Sequence, residues 1–144
     1  MTTRRFAEGG TVVLVDTSVL IDYLGGKDTT AAAAFQQILD DKIAFGINSF
    51  IYQEVLQGVK TDKDFARIKD YLDTQTFYAL KDPRESFAAA AKIYFLCRRK
   101  GITLGSTIDC LIIQTAVEHN LYLLHKDGDF DNARKAIAFK VYPV

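Results

Sequence analysis

Short apolar runs separated by helical patterns constrain this chain more than any other feature of its sequence. Thr11 to Val15 is a mostly β-branched run without polar alternation, as expected for a strand buried on both faces. Further strand-like runs lie at Lys42 to Ile47, Thr76 to Leu80, Leu121 to Leu124 and Phe139 to Tyr142. Helical patterns fill the intervals. Ser18 to Leu24 stops at Gly25-Gly26, Thr29 to Asp40 is alanine-rich, and Phe50 to Val59 is followed by Asp62 to Asp73, whose outer face alternates charge. Pro83 opens a long helix that runs to Lys100 and ends at Gly101; Ser106 to Asn120 and a short stretch from Asp131 to Ile137 complete the set. Strands that alternate with helices pair through crossovers rather than hairpins, which predicts an α/β domain with a mostly parallel sheet.

The 144 residues fit one such domain, over residues 11–144, with residues 1–10 as a loose N-terminal extension. Met1 to Gly10 holds Arg4 and Arg5 but lacks the apolar stretch of a signal peptide. No apolar run approaches the roughly 18 residues of a membrane helix. A soluble, cytoplasmic protein is expected, with Cys97 and Cys110 as reduced, buried thiols that lack the spacing of a metal knuckle or redox pair. The 18 basic and 18 acidic side chains cancel, so bulk charge does not point to nucleic acid. A basic rim can still coexist with an acidic site.

In an open parallel sheet, ligands bind beyond the carboxyl ends of the strands. Asp16 directly follows Val15, and Asp127 follows Leu124 after two residues, with Asp129 just beyond. Turn chemistry alone also accounts for acids at such places. Two helical acids are less easily explained. At about 100° per residue, Asp109 shares a face with Ile112, Ile113 and Ala116, the face that packs on the sheet. Either it bonds the first turn, since Ser106 to Asp109 reads S-x-x-D, or it is an inward carboxylate that needs a partner. Glu54 projects between Phe50 and Ile51 within an apolar arc, from which it either snorkels to water or meets the other acids.

Four acids from separated segments that converge on one cleft cannot all stay ionised unaided. A hard divalent cation resolves the conflict, and all-oxygen donors select Mg²⁺ or Mn²⁺ over zinc. His119 and His125 have no ligand-type spacing; the first reads as a residue near a helix end, the second as a loop residue close to Asp127. Acidic sites of this kind suit phosphoryl chemistry.

The same segments resemble the motifs of the PIN-domain family. Val13-Leu14-Val15-Asp16-Thr17-Ser18 resembles its first motif, Glu54-Val55-Leu56-Gln57-Gly58 its second, Ser106-Thr107-Ile108-Asp109 its third, and His125-Lys126-Asp127-Gly128-Asp129-Phe130 its closing motif. Each motif is short, but their order and spacing agree from about Thr11 to Val144. The resemblance implies a three-layer α/β/α PIN-like domain and a Mg²⁺- or Mn²⁺-dependent endoribonuclease acting on single-stranded or looped RNA. It implies Asp16, Glu54, Asp109 and Asp127 as catalytic, metal-binding acids, with Asp129 the second candidate at the fourth position. Thr17 and Ser106 would position the cluster by hydrogen bonds. Single-domain bacterial members of similar length are toxins of VapBC-type toxin–antitoxin pairs, which implies a small cognate antitoxin and a homodimer as partners, with no membrane.

Other readings compete. A non-catalytic PIN-like scaffold is the alternative from another class, although such a module would be expected to lose acids that are all present here. A haloacid-dehalogenase-type phosphatase needs a general acid two residues after Asp16, where Ser18 stands, and a receiver domain needs an acidic pair that is absent. Arg98, Arg99 and Lys100 meet either an RNA backbone or only the dipole of the helix they end.

Overall fold

A computed structural model describes residues 10–144. The extension expected at residues 1–10 lies outside the described residues, apart from Gly10. Strand β1 (Val12–Val15) forms at the run with no polar alternation, and Val13, Leu14 and Val15 have no solvent exposure. Both faces of the strand are therefore covered. β1 pairs in parallel with β2 (Ala44–Gly46) on one side and with β3 (Tyr122–Leu124) on the other, and β3 pairs in parallel with β4 (Lys140–Val141). The strand order is β2-β1-β3-β4.

That order sets the rest of the architecture. From β1 the chain first steps to β2, through helices α1 (Thr17–Leu24) and α2 (Thr30–Asp40). It then returns past β1 to β3, through α3 (Ser49–Gln57), α4 (Asp62–Asp73), α5 (Glu85–Arg99) and α6 (Thr107–Glu118). A last short helix, α7 (Gly128–Ala133), leads to β4. Right-handed crossovers that step in opposite directions put helices on opposite faces of the sheet, as the expected α/β/α layering requires. They also create a topological switch point, a crevice at the carboxyl ends of the two strands where the chain reverses. Those strands are β1 and β3, and the Asp16 amide donates to the Leu124 carbonyl at 3.0 Å, closing their ends together.

Most helix starts are built by the residue the sequence places before them. Asp16, Thr29, Asn48, Thr61, Ser106 and Asp127 each accept a backbone N–H of the following turn. Such a cap is worth ~1 kcal/mol. The core is continuous across the sheet and holds Leu14, Phe35, Ile51, Ile112, Ile113, Leu123 and Phe130, each at most 1% exposed. Burying each aliphatic side chain of that size contributes about 1.5–3 kcal/mol. Burial also raises the pKa of both buried thiols, Cys110 to about 11, which leaves them protonated and unreactive. Among the described residues no helix is long and apolar enough to cross a membrane.

Three sequence expectations need correction. Thr76 to Leu80 is not a strand of the sheet; it makes one isolated parallel bridge, Phe77 opposite Ile47. Its backbone bonds go to Ile47 alone, and the segment is held from the far side by His119, whose Nε2 donates to the Ala79 carbonyl at 2.6 Å. The long helix begins at Glu85 rather than at Pro83, because Asp82 accepts the Arg84 amide at 2.8 Å and starts the turn earlier. The helix expected at Asp131 to Ile137 is instead Gly128–Ala133, because Asp127 caps it and the acidic Asp129 and Asp131 suit its first turn.

Gly46 closes β2 where no side chain fits. A Cβ there would lie 2.5 Å from Tyr78 Cε2 and 2.6 Å from the Thr76 carbonyl oxygen. A backbone oxygen cannot step aside cheaply, so Gly46→Ala should destabilise the fold by about 2–3 kcal/mol. Urea denaturation would show the midpoint fall; an unchanged midpoint would mean that residues 76–80 move away freely.

Candidate metal centre

The switch-point crevice gathers carboxylates. Asp16 extends from the end of β1 and is 5% exposed. Its Oδ2 accepts the Ser18 hydroxyl at 2.6 Å and the Ser18 amide at 3.2 Å, so the same atom caps α1 and faces the crevice floor. Burial is the main cause that raises its carboxyl above the ordinary range, with the Ser18 bonds acting against it. Thr17 turns the other way and donates to Glu54 Oε1 at 2.7 Å. Glu54 is therefore neither snorkelling nor unpartnered. It is half-buried on α3 and bonded to the first turn of α1.

Asp109 enters from the first turn of α6. Ser106 caps that helix by accepting the Ile108 amide at 2.9 Å. The Asp109 carboxylate does not close the reciprocal bond of a capping box among the described residues, which leaves it free to point inward. Oxygen atoms of Asp109, Asp127 and Asp129 all lie within 4.8 Å of one another. Burial first, then the charges of Asp16, Asp127, Glu54 and Asp129, push the Asp109 carboxyl up to about 7. Five acids therefore act on one another here, the four expected ones together with Asp129. Asp127 and Asp129 both reach the cluster. Asp127 also caps α7 through the Asp129 amide at 2.9 Å.

Several residues that build the centre were not singled out by sequence reasoning. Ser18, not Thr17, is the partner of Asp16. Asn48 caps α3 through the Ile51 amide at 2.8 Å and donates to Thr115 Oγ1 on α6 at 3.0 Å, which locks the helix of Glu54 to the helix of Asp109. Its signal was the ordinary one of an Asn before an apolar helix. Asp22 is 2% exposed on α1 and accepts Lys126 Nζ at 2.5 Å, which ties α1 to the loop that carries Asp127. The Lys126 bond is the leading cause that lowers the Asp22 carboxyl below its ordinary range. His125 is buried against Phe130 and accepts the Asp127 amide on Nδ1 at 3.1 Å. Its ring proton therefore sits on Nε2, 3.2 Å from Asp131 Oδ1, and the histidine fixes the backbone of Asp127.

The geometry accepts a hard cation. The donors are all carboxylate oxygens and mutually close, and burial together with their charges raises the Asp109 carboxyl. Gly105 leaves the space beside them clear, since a Cβ there would stand 3.1 Å from Asp129 Oδ2.

Comparisons with known proteins fit this picture. The family described as PIN domain matches residues 13–136. Ribonuclease VapC11 of Mycobacterium tuberculosis is 31% identical over 121 residues, covering 83% of this chain and 90% of that protein. Among solved structures, VapBC2 of Rickettsia felis, bound to a DNA fragment from their promoter, superposes with a TM-score of 0.70 at 13% identity, over 92% of this chain and 98% of that one. A toxin–antitoxin complex from Klebsiella pneumoniae superposes with a TM-score of 0.57 at 22% identity, over 90% and 99%.

The repulsion can be measured without any activity. The folded pKa of Asp109, about 7, lies above the ordinary value of 3.8. In metal-free protein the associated stability is present at low pH and is lost as pH rises through that window. Asp109→Asn removes the cost. It should raise Tm by about 2–4 °C at pH 8, ~1 kcal/mol after solvent screening of a half-buried group, and by less at pH 5. A difference between variant and wild type that stays constant from pH 5 to 8 would rule out that combined cost of burial and repulsion.

Proposed function

This chain belongs to the PIN domain family, and from that premise we propose that it is a metal-dependent endoribonuclease, the toxin of a toxin–antitoxin pair. The observation that carries the reading is the convergence of Asp16, Glu54, Asp109, Asp127 and Asp129 at the switch point of a parallel sheet. RNA as substrate is supported by the relative named a ribonuclease. A cognate antitoxin as partner is supported by the toxin–antitoxin complex of the same fold. A cytoplasmic homodimer completes the proposal, with Phe65, Phe87 and Phe95, each more than 40% exposed, as apolar surface available to a partner.

In this mechanism Asp16 and Asp109 would hold Mg²⁺ or Mn²⁺ directly, and Glu54, Asp127 and Asp129 would complete its shell or hold a second ion. When bound, the ion neutralises the carboxylates, lowers the pKa of water and stabilises charge on phosphate oxygens. The chain's own residues do the positioning. Ser18 fixes the Asp16 carboxylate at the end of β1, and Thr17 fixes Glu54 across the helix interface. His125 and Lys126 hold the loop of Asp127 from inside and outside. Water adds to the RNA phosphorus in line as the bond from phosphorus to the 3′ oxygen breaks; water loses a proton, the 3′ oxygen takes one up, and a 3′-hydroxyl and a 5′-phosphate remain.

Purified protein free of any antitoxin should cleave a labelled structured RNA with Mn²⁺ and stop with EDTA. Asp16→Asn and Asp109→Asn should each lose at least ~100-fold in rate while staying folded, since even residues that only orient ligands cost 10–100-fold. Thr17→Val, which removes only the hold on Glu54, should fall in that smaller range. Folded protein that cleaves nothing in a total-RNA pool and gains no thermal stability from Mn²⁺ would instead be a scaffold.

A further inference from the structure

We infer that the groove between the end of α5 and α7 is the path by which the substrate's phosphodiester backbone leaves the acidic centre, with Lys100 and Lys135 binding phosphates next to the scissile one. The inference rests on the RNA reading above and extends it to residues outside the carboxylate cluster.

The groove, of about 440 Å³, is lined by Lys100, Gly101, Ile102, Thr103, Asn132 and Lys135. No carboxylate is among them. Lys100 Nζ donates to the Lys135 carbonyl at 3.0 Å, which holds its ammonium at the wall and leaves two N–H donors over. The Lys135 side chain, and those of Arg98, Arg99 and Arg134 nearby in sequence, form no ion pair among the described residues. Elsewhere on the surface Lys27, Arg67, Lys69 and Lys126 each face an aspartate within 4.0 Å. Lys100 and Lys135 thus line the groove with no carboxylate partner among the described residues.

Both walls lie within three residues, along the chain, of residues at the candidate centre. Asn132 follows Asp129 by three residues on α7, so the two share a helix face with Cβ atoms about 5–6 Å apart. On the other wall, Thr103 precedes by two residues the glycine packed against Asp129, Gly105. The helix dipole accounts for cations at the end of α5 and at the end of α7 separately. It does not account for the two ends meeting in one carboxylate-free groove next to the helix turn that carries Asp129. A linear polyanion explains it: one phosphate sits among the acids and their ion while its neighbours need cations outside.

The test uses fluorescence anisotropy with a labelled single-stranded RNA and the full chain carrying Asp109→Asn, so that no cleavage intervenes. Each phosphate contact contributes about 0.7 to the slope of log affinity against log salt for single strands. Lys135→Gln should lower that slope by about 0.7, and Lys100→Gln with Lys135→Gln by about 1.4, with roughly tenfold weaker binding that is uniform across RNA sequences. Lys135→Arg should keep the slope. The same charge removal on α4, Lys63→Gln with Lys69→Gln, should leave it unchanged. In the active chain the groove variants should raise KM and spare kcat. An unchanged slope in Lys135→Gln, whose side chain holds nothing else in place, overturns the inference and leaves the cations to an acidic protein partner. If groove variants lower the slope but the wild-type chain cleaves no RNA with Mn²⁺, the nuclease reading falls and the groove stands. Metal-dependent cleavage with slope and KM unmoved gives the reverse.

Discussion

The mutual repulsion of carboxylates at one crevice is the constraint on which the rest of this structure depends. Burial first, and then the charges of four other acids, push the Asp109 carboxyl up to about 7. Close like charges can be held together only if the backbone segments that carry them are fixed by other means. The parallel sheet does the first part, because the switch point brings the ends of β1 and β3 side by side and the Asp16 amide closes them. The hydrophobic core does the second, since α3 and α6 each bury an apolar face while their acids face the crevice.

What remains is done by short polar bonds. Ser18 holds Asp16, Thr17 holds Glu54, Asn48 joins α3 to α6 through Thr115, and Lys126 reaches back to Asp22. Asn48, Thr115 and Asp22 are buried. Buried polar groups are costly unless satisfied, and here each satisfied pair spans two of the elements that deliver an acid. The helix caps serve the same end. Asp16 and Asp127 are each both a cap and a member of the cluster, so the position of the carboxylate and the start of its helix are one constraint.

Periodicity made the parallel α/β frame legible, because Val13, Leu14 and Val15 have no polar alternation and the helices between strands exclude hairpins. It also made the inward aim of Glu54 and Asp109 legible, since helical geometry fixes which face a residue shares. Residues 76–80 were misread for a reason that lies outside the segment. Their β-type composition is real, but ladder formation depends on the neighbour, and only Ile47 offers its backbone. The Asp127–Asp129 pair was read as a choice between two acids. A cap that turns Asp127 and the first turn of α7 toward the same crevice makes both available, and a loop reading of Gly128 hid it. Asn48 and Asp22 were out of reach because their partners, Thr115 and Lys126, are 67 and 104 residues away in sequence.

The balanced composition conceals the most about function. Equal numbers of acids and bases sum to zero, yet a sum contains no positions. Where the aspartates of α1 and α4 meet lysines or arginines, the charges cancel locally and the surface is unremarkable. The acids of the crevice form no ion pair with a lysine or arginine among the described residues, and bases elsewhere likewise stand without one. Some of those bases line the groove beside α7. A chain can therefore be neutral overall and still set up a charge gradient along one short segment, from Asp129 in the first turn of α7 to Lys135 two residues past its end. Such a gradient is what distinguishes a surface that draws a phosphodiester across a cation site from one that merely carries charge.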